Sequence, residues 1–93
     1  MSGQSTLRAS DPYEQGQSLS AKGLHTEAIE QYERALAVRP NDPRVLFALG
    51  NTARALGLSA AAEDFFGRVL ALEPQRLDAI VNLANLLERK SVG

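Results

Sequence analysis

The chain repeats itself with a period of 34 residues, and this period restricts the possible folds more than any other feature. Aligning residues 9–42 with residues 43–76 gives nine identical pairs. They are Gly16/Gly50, Ala21/Ala55, Gly23/Gly57, Leu24/Leu58, Ala28/Ala62, Arg34/Arg68, Leu36/Leu70, Ala37/Ala71 and Pro40/Pro74. A partial third copy covers residues 77–91, where Leu83 and Asn85 match Leu49 and Asn51. Because the matches fall on glycine, proline and small or apolar residues, we expect a protein of about two and a half structural repeats.

Each full repeat is predicted to contain two helices. The Asp-Pro pairs at residues 11–12 and 42–43 are typical of helix starts, since aspartate caps an N-terminus and proline suits the first turn. Gly23 and Gly57 are predicted to end the first helix of each repeat. Ser59 is predicted to be the N-cap of the second helix in the second repeat.

Apolar residues recur at helical spacing, and no stretch alternates with a period of two. Pro40 and Pro74 are predicted to end the second helices. The apolar series are Leu46, Leu49, Ala53, Leu56; Ala62, Phe66, Val69, Leu70; and Ile80, Leu83, Leu87. We therefore expect an all-α fold of about five helices. Gly16, Gly50 and Ala84 are predicted to lie where two helices approach closely.

The pattern of large, small and proline residues resembles the tetratricopeptide repeat family. The second repeat carries the pattern at Leu46, Leu49-Gly50, Ala53, Ala62, Phe66 and Pro74. The first carries its second half at Ala28, Tyr32, Ala35 and Pro40, whereas Pro12 and Gln15 depart from its opening. The third supplies Ile80, Leu83-Ala84 and Leu87. The resemblance covers residues 9–91.

The resemblance implies a helical-hairpin repeat of the α-solenoid type, forming a fragment of a right-handed superhelix. We expect a domain at 11–90, with repeats at about 9–42, 43–76 and 77–91, after a flexible segment at 1–10. The first helix of each repeat would line a concave face, and the second helices would form the outer wall.

Composition excludes several classes of function. Ten Lys and Arg against eleven Asp and Glu give a net charge of −1, which argues against nucleic-acid binding. No apolar run is long enough to span a membrane, and residues 1–10 contain no apolar signal region, so a cytoplasmic protein is expected. The chain has no cysteine, and no metal or cofactor is expected.

No residue pattern indicates an enzyme. His25 is the only histidine and is predicted to lie in a turn. Glu63-Asp64 is interpreted as negative charge near a helix start, where it interacts favourably with the helix dipole. Phosphate-binding glycine loops and metalloprotease motifs are absent from the sequence.

The expected function is binding of a protein or peptide in the concave groove. An apolar row beside an amide row would contact partner side chains and partner backbone. The candidate residues are Tyr13, Gln17, Arg44, Phe47, Asn51, Arg54, Val81, Asn82 and Asn85. An ordinary surface without a dedicated ligand is the alternative. The Lys-Asn-Arg clamp that related domains use for chaperone C-termini is not expected, because its cationic positions are not kept.

The last helix is predicted to be apolar around most of its circumference, which a terminal helix of a repeat protein should not be. Self-association through Ile80, Leu83, Leu86 and Leu87 is therefore expected for the isolated chain. Two other hypotheses remain: the chain is part of a longer repeat protein, or it is a monomer with an exposed apolar patch.

Overall fold

The computed structural model describes residues 11–92, which form five α-helices in the order predicted. They are α1 (Pro12–Ala21), α2 (His25–Val38), α3 (Pro43–Ala55), α4 (Ser59–Leu72) and α5 (Leu77–Val92). Between residues 11 and 92 there is no strand, and the all-α prediction is confirmed. The predicted flexible segment 1–10 lies outside the described residues.

Both Asp-Pro pairs begin a helix, as predicted. Asp11 Oδ1 accepts a hydrogen bond from the Glu14 N–H at 2.8 Å, and Asp42 Oδ1 accepts one from the Arg44 N–H at 3.0 Å. The proline that follows each aspartate is the first helical residue, where a missing N–H leaves no hydrogen bond unmade.

The turn inside each hairpin is closed by a glycine with positive φ, which is +80° at Gly23 and +78° at Gly57. After α3 the Leu58 N–H donates to the Ala53 carbonyl at 2.9 Å, which completes a Schellman motif. That bond brings Leu58 itself to the N-cap position of α4, with no side-chain hydrogen bond. The prediction that Ser59 is the N-cap is therefore wrong, because Ser59 is already the first residue of the helix.

Close packing inside the hairpins depends on Gly16 and Gly50, as predicted, whereas Ala84, which was predicted to lie at a third close approach of two helices, is exposed. A Cβ atom at Gly16 would lie 2.5 Å from Tyr32 Cε1, and one at Gly50 would lie 2.6 Å from Phe66 Cε1. Neither contact leaves room for a side chain. Gly67 differs, because a Cβ there would meet no atom within 4 Å.

The core is centred on α3, which packs between α2, α4 and α5. Its buried residues are Val45, Leu46, Leu49, Gly50, Thr52 and Ala53, whereas α1 buries only Gly16. Thr52 is the buried polar residue of this helix, and its hydroxyl donates to the Ala48 carbonyl at 2.8 Å. The first helix of the second repeat therefore holds the described part of the chain together.

One side of α5 packs on the preceding hairpin. Ala79 and Leu86 are buried there, seven residues apart and so on one face of the helix. Leu83 is half-buried beside them, whereas Ile80 and Leu87 are exposed. The prediction that Leu86 contacts a second molecule is therefore wrong, since its own chain covers it. Leu86 forms a cluster with Ala53, Ala62 and Phe66.

Candidate peptide-binding groove

Two aromatic side chains occupy matching places on the first helices. Tyr13 in α1 and Phe47 in α3 are 34 residues apart, and both are half-buried. The Tyr13 ring lies 6.1 Å from that of Tyr32, and the Phe47 ring lies 5.6 Å from that of Phe66. Each half-buried ring therefore lies beside the buried ring that contacts the hairpin glycine. Val81 holds the third matching position in α5 and is exposed.

An open cavity of about 470 Å³ lies along α1 and α3, and we call it the groove. Five of the residues expected to bind a partner line it: Tyr13, Gln17, Arg44, Phe47 and Asn51. The other lining residues are Ser20, Ala21, Tyr32, Ala48, Thr52 and Arg76. The charged side chains in this lining are Arg44 and Arg76.

Arg44 lies over the ring of Tyr13, with its guanidinium carbon 4.6 Å from the ring centroid. The same guanidinium is held by Asp42, with Nη2 to Oδ2 at 2.9 Å and Nε to Oδ1 at 3.3 Å. The hydrogen bond from Arg44 lowers the pKa of Asp42. This geometry combines a two-point ion pair with a cation–π contact, so it restricts the orientation of the arginine.

Arg76 lies over the ring of Phe47 in the same manner, with 4.3 Å between the guanidinium carbon and the ring centroid. Its Nε donates to Asp78 Oδ1 at 2.9 Å, and its Nη1 donates to Glu73 Oε1 at 3.2 Å. Burial opposes the charge of Arg76, but the hydrogen bonds and charges of these two carboxylates outweigh it and raise its pKa. Sequence reasoning missed this groove residue.

A signal for Arg76 is present in the 34-residue alignment. Arg76 occupies the position of Asp42, and Asp78 occupies the position of Arg44. The turns that follow α2 and α4, which we call the repeat junctions, thus carry the acid and the base in opposite orders. Both junctions keep the ion pair and the stacking of the arginine on an aromatic ring. Comparing charges across the repeats, rather than identities, would have found it.

The amide row is partly occupied by contacts within the chain. Gln17 Nε2 donates to the Tyr13 hydroxyl at 2.9 Å. Asn51 Oδ1 accepts a hydrogen bond from Asn82 Nδ2 at 3.0 Å and another from Arg54 Nη2 at 3.3 Å. Both bonds use the oxygen of the Asn51 side-chain amide as their acceptor.

A family model for the tetratricopeptide repeat matches residues 13–76, which include both hairpins except Pro12 and all the residues that line the groove. The chain belongs to the tetratricopeptide repeat family. This confirms the resemblance drawn from the sequence and the helical-hairpin repeat as its fold.

Among curated proteins, the chain is similar to the "Probable biofilm formation methyltransferase WspC" of Pseudomonas aeruginosa. The two are 39% identical over 69 residues, which make up 74% of this chain and 16% of the relative. The chain therefore matches only a small part of that protein's length.

Four predicted binding residues of the tetratricopeptide domain lie outside the groove lining: Arg54, Val81, Asn82 and Asn85. Arg54, Val81 and Asn85 are exposed, and Asn82 is half-buried against Asn51. Asn82 thus connects α5 to α3 through its hydrogen bond with Asn51, whereas its contact with a partner stays a prediction.

The residues considered for catalysis lie apart from the groove. His25 begins α2, and Glu63 in α4 pairs with Lys90 of α5 at 3.2 Å. Among residues 11–92 no group of three or more acidic, histidine or cysteine side chains could hold a metal ion. None of the described helices is long and apolar enough to cross a membrane.

Proposed function

We propose that this chain binds an extended peptide segment of a partner protein in the groove. Tetratricopeptide repeats are generally protein–protein interaction modules, and the groove lies on the face formed by their first helices. The observation that carries the proposal is the pair of arginines stacked on Tyr13 and Phe47 in one open cavity.

Each part of the groove has a role in this binding. The exposed parts of the Tyr13 and Phe47 rings contact apolar side chains of the peptide. The amino group of Asn51 donates to a peptide carbonyl. Arg44 and Arg76 are held in place by their carboxylate partners, so little side-chain freedom is lost when a peptide contacts them.

Peptide selection on the purified chain tests the proposal. Peptides are selected from a displayed random library, and their affinities are measured by fluorescence polarisation for the wild type and for Phe47→Ala. We expect the substitution to weaken binding by about 1–3 kcal/mol, because a central aromatic side chain is a typical hot spot. Circular dichroism shows whether the variant stays helical, since Phe47 also contacts the core.

Arginine variants provide the matched control. Arg76→Ala removes a groove arginine, whereas Arg68→Ala removes an arginine that lies 5.8 Å from the Phe65 ring and 3.9 Å from Asp64, outside the groove lining. We expect only Arg76→Ala to weaken binding. Equal affinities of the wild type, Phe47→Ala and Arg76→Ala for every selected peptide would remove the groove as the binding site.

A second candidate function is assembly through α5. The observation that favours it is the exposure of Leu77, Ile80, Val81 and Leu87 on one helix. Light scattering on the wild type and on Leu87→Lys tests it, because Leu87 is exposed and its substitution leaves the core intact. A monomer at every concentration would argue against assembly between copies of the chain.

A further inference from the structure

The two repeat junctions carry charges of opposite sign at matching positions. The charged pairs, 34 residues apart, are Arg39/Glu73, Asp42/Arg76 and Arg44/Asp78. An aliphatic residue comes just before each set of three, Val38 in the first junction and Leu72 in the second. The repeat therefore keeps the place of each charge and reverses its sign.

The first junction exposes its cations more than its anion. The Arg44 side chain is 59% exposed, whereas that of Asp42, its ion-pair partner, is 9% exposed. Arg39 is also exposed. Asp11 at the start of α1 lines a cavity together with Arg39 and Arg44, so it weakens their field, but it leaves two guanidinium groups accessible in this turn.

The second junction exposes its anions more than its cation. The Arg76 side chain is 25% exposed, whereas those of its ion-pair partners Glu73 and Asp78 are 46% and 54% exposed. The accessible charges of the two junctions are therefore complementary, because two cations in one correspond to two anions in the other. Each pair of accessible charges is separated by five residues.

Both junctions lie at one edge of the layer of helices. Successive helices of a hairpin repeat run in opposite directions, so the turns after α2 and α4 come at the same end. We call residues 38–44 and 72–78 together the junction edge. In the part of the chain that the structure describes, the ion pairs of each junction stay within that junction. A further repeat in the same chain would pack beside α5 and extend the layer sideways, so it would leave this edge uncovered.

We propose that two copies of this chain associate through the junction edge about a two-fold axis. The rotation places the first junction of each copy opposite the second junction of its partner, so that every contact occurs twice. Arg39 then faces the partner's Glu73, and Arg44 faces the partner's Asp78. The dimer therefore contains four attractive charge pairs between the copies.

Charge complementarity selects a second copy and also fixes its orientation. The occupant must present two anions to the first junction and two cations to the second, and this chain carries both sets with the same spacing. In a side-by-side arrangement without the rotation, each junction would meet its own like charges, which is unfavourable. The rotation also brings Val38 towards the partner's Leu72, and both side chains are exposed in one copy.

The association should be weak and sensitive to salt. Exposed ion pairs contribute little individually, and salt screens them. Sedimentation velocity of the full chain over a series of concentrations measures the equilibrium between monomer and dimer. We expect the dimer to dissociate more readily when the NaCl concentration is raised from about 0.05 M to about 0.5 M.

A charge exchange between the junctions is the decisive test. Arg39→Glu and Glu73→Arg each create like charges at two places in a dimer, so each should weaken dimerisation at least about tenfold. An equal mixture of the two variants should dimerise like the wild type, because the new glutamate of one then faces the new arginine of the other. Both positions are exposed and lie outside the groove lining, so the fold and the groove can be checked separately by circular dichroism and peptide binding.

Lys22→Glu is the matched control, because it makes the same change of charge at an exposed residue in the turn between α1 and α2, at the opposite edge. It should leave dimerisation unchanged. A wild type that is monomeric at every accessible concentration would overturn the proposal, as would a mixture of the two variants that does not dimerise. Species that grow without limit would also overturn it, because the junctions would then join copies head to tail rather than about a two-fold axis.

Discussion

The two complete hairpins have the same construction but differ in how firmly they are held. In both, a glycine of the first helix lies against an aromatic ring of the second. The α3–α4 hairpin has neighbours on both sides, α2 on one and α5 on the other. The α1–α2 hairpin is flanked by α3 on one side only within residues 11–92, and α1 buries a single residue.

Because of this difference, we expect equal contacts to contribute unequally to the stability of the two hairpins. A helix with a neighbour on one side can move by a few tenths of an ångström when a contact becomes too short. A helix enclosed on both sides transmits the same strain to its other neighbours. The second hairpin should therefore respond more strongly to matched substitutions than the first.

The largest expected effect is that of Gly50→Ala. The new Cβ would lie 2.6 Å from Phe66 Cε1, so helices α3 and α4 must separate. Overpacking of this kind costs about 1–3 kcal/mol, and the better helix propensity of alanine offsets part of it. We expect urea denaturation to show a net loss of about 1–2 kcal/mol in the free energy of unfolding.

Gly16→Ala is the matched substitution in the first hairpin, where the corresponding distance to Tyr32 is 2.5 Å. Its loss should be smaller, because α1 can move outward. Equal losses for the two variants would show that the neighbouring helices do not restrict the second hairpin more than the first.

Gly67→Ala should have an effect of the opposite sign. Gly67 lies within α4, but its Cβ position has no neighbour within 4 Å. Alanine is favoured over glycine inside a helix by about 1 kcal/mol, so we expect a gain near that value. Thermal unfolding followed by circular dichroism would measure it, and a destabilised variant would show that this surface of α4 has a contact that the structure lacks.

The smallest expected effect concerns Asp42, which lies between the two hairpins. The hydrogen bond from Arg44 lowers the folded-state pKa of Asp42 from its ordinary value of 3.8. The ionised carboxylate therefore stabilises the fold above that value, and this contribution is lost as the pH falls through the lower folded-state pKa. Asp42→Asn should remove this pH-dependent contribution, which is less than about 1 kcal/mol of the free energy of unfolding. Asparagine can still cap the N-terminus of α3.

Denaturation of the wild type and Asp42→Asn at pH 7 and at pH values below 3.8 would measure this difference. An identical pH dependence in the two proteins would mean that the ion pair with Arg44 does not stabilise the junction between the hairpins.

The sequence was sufficient for features that depend on backbone geometry. Glycines in the turns, Asp-Pro at helix starts and glycines at close approaches of two helices each have few structural alternatives, and the structure contains all of them. Four residues of the groove lining were predicted because the repeat places matching positions of the first helices on one face, and Arg44 was predicted because it lies three residues before Phe47.

Other features depend on contacts that periodicity does not specify. The burial of Leu86 depends on which face of α5 packs on the second hairpin, and a helix that is apolar on most sides does not specify that face. Ser59 carries a good capping side chain, but the Schellman turn gives the N-cap position to Leu58. Arg76 was overlooked because its position holds an acid in the preceding repeat.

The reversed order of acid and base at the two junctions limits how such a chain can grow or shrink by whole repeats. Deleting residues 43–76 would join Asp42 to Leu77 and so place Asp42 beside Asp78. Duplicating the same segment would place Arg76 beside Arg44. Either rearrangement creates a junction of two like charges: the deletion removes both attractive pairs together with α3 and α4, and the duplication adds a repulsive pair while it keeps both attractive ones. The repeats are alike as folding units but are not interchangeable, and a change in repeat number would require a compensating charge substitution at the new junction.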